Sequence, residues 1–153
     1  MNFKIFRILL IFIVFSFPSI CIAEKPDSRV WEKLSENSYY NKTNITKSPN
    51  TTSVWIYKTV TNEERKEKID IVKKEDMAKS MMYLHYDHYV GLWEFDCNKR
   101  LFRGKEFKDY DDKGRVLSSI KRLFDWNNIK PNSAMDILYS KVCSIPKKPL
   151  NKK

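Results

Sequence analysis

Residues 81–97 read MMYLHYDHYVGLWEFDC. At a period of two, Tyr83, Tyr89, Trp93, Phe95 and Cys97 share one parity, while Leu84, Tyr86, Val90 and Leu92 share the other. A run this rich in aromatic and β-branched side chains, alternating over its whole length, predicts a long strand at the centre of a sheet. Gly91 marks an expected bulge within it.

Similar patterns lie on either side. Ser53–Val60 (SVWIYKTV) is the clearest strand: Val54, Ile56 and Val60 point one way, and Trp55, Tyr57 and Thr59 the other. Bulk on both faces predicts a central strand covered on both sides. Val30-Trp31-x-x-Leu34 opens the domain, and Ser38-Tyr39-Tyr40 with Asn44-Ile45-Thr46 predicts a first hairpin. Leu101–Tyr110 and Val116–Phe124 form a second hairpin across the turn Asp111-Asp112-Lys113-Gly114, with glycine where positive φ is wanted. Between the two aromatic strands, Asn62–Lys79 is charged and helix-tolerant. It reads as a long solvated connection with room for a helical turn, the alternative being a functional lid.

Pro131-Asn132-Ser133 closes the strand region. Ser133 suits a helix N-cap, Asp136 suits the first-turn dipole, and Ala134, Ile137, Leu138 and Val142 recur at helical spacing. About ten residues cannot hold a helix alone in water, so this one must dock. Cys143 at its end offers a tether to Cys97. Residues 144–153 are rich in Pro and Lys and are expected to form a disordered basic tail.

Residues 1–23 carry Lys4 and Arg7, then the apolar run Ile8–Phe17, then Pro18 and the small-residue exit Cys21-Ile22-Ala23. This is the layout of a cleaved secretory signal, with an apolar run shorter than the ~20 residues a membrane helix needs. Ile20 before Cys21 argues against lipidation of that cysteine, so the mature chain is expected to begin at Glu24, exported and not a lipoprotein.

Subtracting this segment from the 153 residues leaves 130, with 27 basic and 19 acidic residues and a net charge of +8. Three glycines and 14% aromatics exclude collagen-like and disordered classes. Such a basic, aromatic surface suits anionic glycans, lipid headgroups or nucleic acid, and a Lys/Asn-rich proteome produces the same bias without any ligand. Two cysteines in an oxidising compartment are expected to pair; a metal pair is the rival, and neither cysteine has a CxxC partner.

The candidate chemistry is thin. His85 and His88, in HYDHY, fall on opposite strand parities and lack a third ligand. Asp109, Asp111 and Asp112 lie near Gly114 without calcium-loop spacing, and a hairpin turn explains them better. Asn41, Asn44 and Asn50 head three glycosylation acceptor triplets that are idle in a bacterium. No phosphate loop, nucleophile elbow or CxxC is present. The sequence therefore predicts no catalytic residue, no metal site, no cofactor and no enzyme.

Trp31, Trp55, Phe95-Asp96-Cys97, Gly114, Trp126, Pro131-x-Ser133 and Val142-Cys143 fall in an order that resembles the surface-adhesin protein E family of small exported bacterial proteins, over residues 30–143. The resemblance implies an α+β fold: one antiparallel β-sheet with a short C-terminal helix tied to its concave face by a Cys97–Cys143 disulfide. It also implies a Gram-negative source and adhesion to host matrix or serum proteins. The member that names the family is a lipoprotein, which this chain is not expected to be. The expected function is a non-catalytic exported binding module for a host extracellular-matrix protein or anionic glycan, helped by Lys147, Lys148, Lys152 and Lys153 of the tail. The alternative is a periplasmic envelope protein of structural or stress role. No nucleic-acid partner and no transmembrane segment in the mature chain are expected; a homodimer is left open.

Overall fold

The computed structural model describes residues 26–144. The expected signal segment, Cys21 and the tail lysines lie outside the described residues. One antiparallel sheet runs in chain order through β1 (Trp31–Lys33), β2 (Ser38–Lys47), β3 (Thr51–Thr59), β4 (Tyr86–Asp96), β5 (Leu101–Asp111) and β6 (Val116–Lys121), with the short β7 (Asn127–Asn128) returning to the start of β5. Among the described residues three helices accompany it: α1 (Asn62–Lys73), α2 (Met77–Met82) and α3 (Ala134–Cys143). The expected α+β class, single antiparallel sheet and tethered C-terminal helix are all present.

Register assigns the two faces. Val54 pairs Trp93, Ile56 pairs Gly91 and Tyr40, and Gly91 pairs Phe107, so these residues share the front face. Tyr39 pairs Tyr57, Tyr57 pairs Val90, and His88 pairs Thr59 and Tyr110, which places them on the back.

The front face carries both cores. At one end, α3 lays Leu138 and Val142, both fully buried, over Tyr40, Val54, Ile56 and Phe95, with Met135 and Tyr139 packed alongside. Its buried stripe is therefore 135, 138, 139 and 142, the i, i+3, i+4, i+7 set of a helix. Ala134 and Ile137, expected on that stripe, are exposed instead. Both sit on one side of the docked line, about 90° and 150° away from it, where the helix meets water. Ser133 caps α3 as expected, accepting from the Asp136 backbone N–H. The Cys97–Cys143 disulfide closes this end over a separation of 46 residues. Lys141 reaches Glu32 on the first strand at 2.6 Å.

At the other end, α1 brings Ile69 and Val72 against Tyr83, Tyr86 and Leu117. This corrects the expected solvated connection: 62–73 is a full helix. Thr61 and Glu64 form a reciprocal capping box that starts it, a signal carried by the Thr-x-x-Glu spacing. Beneath it, Asp109 accepts from the Tyr83 hydroxyl at 2.9 Å and the Tyr86 hydroxyl at 3.1 Å, and Lys68 of α1 pairs with it at 3.1 Å. Burial, then the Asp109 charge, pushes both phenols well above the ordinary tyrosine range.

Three further expectations need correcting. Tyr83–His85 is a 3-10 turn, so the long strand begins at Tyr86. The strand's irregularities lie between Tyr86 and His88 and between Leu92 and Trp93, whereas Gly91 pairs regularly. Asp87 is the extra residue at the first of these, and it turns Tyr86 to the front face, away from Val90. Finally, Ser38–Tyr40 and Asn44–Thr46 belong to one strand, interrupted by a bulge. Asn41 Oδ1 accepts the N–H groups of Thr43 and Asn44 and folds the backbone locally without reversing it. The reversal comes at residues 48–50. Gly114 takes φ +74° in the β5–β6 turn, as expected.

Gly91 and Gly104 have a different task. A methyl group at either position would fall 2.8 Å and 2.4 Å, respectively, from the Phe107 ring. The two glycines form the slot in which Phe107 lies, edge-to-face against Trp93 (5.0 Å) and Phe124 (5.4 Å). This aromatic plug fills the front face between the two helical ends.

Candidate functional site

Among the described residues, no helix lies on the back face. β3 is central as expected, but helices cover only its front side. The back face bears a row of rings, one from each of five successive strands. Trp31 and Tyr39 meet Tyr57 edge-to-face at 5.8 and 6.2 Å. Tyr57 stacks on His88 at 4.6 Å, and His88 stacks on Tyr110 at 4.9 Å with an interplanar angle of 10°. Neighbouring strands are about 4.8 Å apart, so the row crosses roughly 20 Å of sheet. All five rings are partly exposed.

Local chemistry holds the row in place. The irregularity at Asp87 aims His88 to the back, and Asp87 Oδ2 holds His88 Nδ1 at 2.9 Å. Both faces of the imidazole are covered by phenol rings. Tyr57 is pushed up to about 12, first by burial and then by the charge of Asp87 and by Tyr39. The Tyr57 phenol is therefore a neutral hydrogen-bonding group at physiological pH. Stacking consumes ring faces, and a partner meets ring edges, which carry the positive end of the quadrupole, together with hydroxyls.

Charge flanks the row in pairs. Lys108 and Glu106 lie 2.9 Å apart. Burial pushes the Glu94 carboxyl up, but hydrogen bonds from Arg103 Nε (2.8 Å) and Lys105 (3.1 Å) outweigh it and hold it below its ordinary value. The Arg103 guanidinium also lies 4.2 Å over the Trp126 ring.

The sequence candidates scatter. His85 is exposed in the 3-10 turn, 3.2 Å from Asp112, and not on a strand as expected. It lies three residues before the stacked His88, ahead of the irregularity at Asp87, and the two share no partner. Asp111 is buried and accepts from the Lys113 and Arg115 backbone N–H groups, the hairpin-turn role expected of it, while Asp109 anchors α1. Among the described residues, no three His, Cys, Asp or Glu side chains are grouped to hold a metal ion, and no helix is long and apolar enough to cross a membrane. Sequence reading missed the row. Its signal was present in Trp31, Tyr39, Tyr57, His88 and Tyr110, but their alignment depends on two strand irregularities.

The model of the surface-adhesin protein E family matches residues 29–144, the sheet, the disulfide and α3 together. The chain belongs to the surface-adhesin protein E family. Membership of this adhesin E family places it among exported or cell-surface adhesin-like proteins. No curated protein matches the chain.

Proposed function

We propose that this protein is a non-catalytic, exported adhesin E-type binding module whose partner surface is the helix-free face of the sheet. The observation that carries this reading is the row Trp31/Tyr39–Tyr57–His88–Tyr110, held by stacking and by Asp87 without an overlying element among the described residues. Partly exposed tyrosines give large, rigid contact area with a polar tip, the composition that dominates protein-binding hot spots. Because the stacked ring faces are already occupied, the row suits a host matrix protein better than a sugar laid flat on a ring. Residues 1–23 act as the cleaved signal, residues 30–143 as the binding domain, and Lys147, Lys148, Lys152 and Lys153 add electrostatic attraction to an anionic glycan or acidic patch.

The test is binding of the oxidised protein, residues 24–153, to immobilised extracellular-matrix proteins and to heparin across a salt series. Binding through the row is mainly apolar and resists salt, whereas binding through the tail weakens as the Debye length falls below about 8 Å. Failure to bind any of them, with the protein folded and oxidised, favours a periplasmic envelope role instead. Accessibility of the protein to antibody on intact cells separates those two locations directly.

A further inference from the structure

The sheet ends differently on its two sides. β1 is an edge of three residues, whereas the β6 edge is long. Beyond Lys121 the chain continues alongside β5, with Arg122 donating to Lys105 O at 3.0 Å and Phe124 to Gly104 O at 3.1 Å. The edge therefore runs from Val116 to Phe124, and strand geometry makes nine residues about 30 Å long. Donors alternate along a strand. With the N–H groups of Arg122 and Phe124 turned inward, those of Lys121 and Leu123 point away from the sheet.

The side chains here are unusual for an edge. Val116, Ile120 and Leu123 are 52%, 44% and 60% exposed. Lys113, Arg115, Lys121 and Arg122 are basic, and no Asp or Glu occurs between 113 and 124. Such charge discourages a second copy, since antiparallel pairing of two β6 edges would set like charges together. It favours an acidic strand.

We propose that the edge Val116–Phe124 is a docking strand for an extended segment of a partner protein in which acidic and apolar residues alternate. The segment adds to the sheet as a further strand. Its backbone pairs with the outward groups at Lys121 and Leu123; its acidic side chains lie on the back face and meet Lys121, while its apolar side chains lie on the front face against Ile120. This site is separate from the aromatic row and does not depend on it.

The probe is a capped, labelled peptide of alternating Glu and Val, tested on the whole oxidised protein. The expected result is saturable binding with slowed amide hydrogen exchange at Lys121 and Leu123. A Lys-Val peptide is expected not to bind, nor is an acidic peptide with proline at every second position, which cannot complete the ladder. Lys121→Glu weakens binding about fivefold, since one exposed attraction becomes a repulsion, while Arg122→Glu on the opposite face changes it little, and Tyr39→Ser with Tyr110→Ser leaves it unchanged. The proposal is overturned if the Glu-Val peptide fails to bind the folded protein, or if the proline peptide binds equally, which would mean charge attraction only. It is also overturned if sedimentation shows the protein dimerising through this edge, with loss of the dimer on Lys121→Glu.

Discussion

Replacing Gly104 by alanine tests the packing of the whole front face. The added methyl carbon would lie 2.4 and 2.6 Å from Cε2 and Cζ of Phe107 and 3.2 Å from Phe124. Contacts below 3 Å force movement, yet Phe107 has little room to move. Its ring is bounded by Gly91 on one side and by Trp93 and Phe124 on the others. Overpacking of this kind costs about 1–3 kcal/mol. The Phe107→Leu change alone loses ring contacts and costs roughly 1–2 kcal/mol. Together, however, the smaller side chain makes room for the methyl group. The double variant is therefore expected to fall short of the summed losses by about 1 kcal/mol, a coupling well above the scatter of independent sites. Urea unfolding of the four proteins, with disulfides intact, measures all the quantities needed. A Gly104→Ala variant within about 0.5 kcal/mol of the parent, or strict additivity, would refute the slot.

Cys97→Ser with Cys143→Ser should cost roughly 2–5 kcal/mol in urea unfolding, because a closed loop with 46 residues of separation is released. Thr61→Ala removes the α1 cap and should cost about 0.5–2 kcal/mol, with faster hydrogen exchange confined to the start of that helix. Alkaline pH should destabilise the fold. Tyr57 and Tyr89 are raised from 10.0 to about 12 by burial, and Tyr83 and Tyr86 rise as well, so the folded state holds these protons more tightly than the unfolded chain. Their contribution is complete below about pH 10 and is lost as pH climbs through the folded values; urea midpoints followed with tyrosinate absorbance check this. An unchanged midpoint up to pH ~12 would contradict it.

Most of the sheet was legible because its strands alternate cleanly: Ser53–Val60, the core of 86–97 and the Gly114 hairpin all appear where the residues indicate them. The disulfide followed from compartment and cysteine count. What the periodicity concealed were its interruptions. A bulge at Asp87 reverses the parity of Tyr86, and an Asx turn at Asn41 mimics a hairpin inside one strand. In α1 the charged surface residues outnumber Ile69 and Val72, so the helix resembles a linker until its Thr61/Glu64 cap is noticed. In α3 both candidate stripes are apolar, and only docking against Phe95 and Val54 selects Met135–Leu138–Tyr139–Val142. The aromatic row was the hardest to see, because its rings come from five strands and align only once the register is known.

The most direct measurement of the central claim compares matrix-protein binding by the parent, by a Tyr39→Ser/Tyr110→Ser double variant of the row, and by Ile137→Ser on the exposed side of α3. If the helix-free face is the partner surface, the row variant should lose about tenfold or more in affinity while staying folded, and Ile137→Ser should bind like the parent. Equal binding by the row variant and the parent, with both folded and oxidised, would contradict the account.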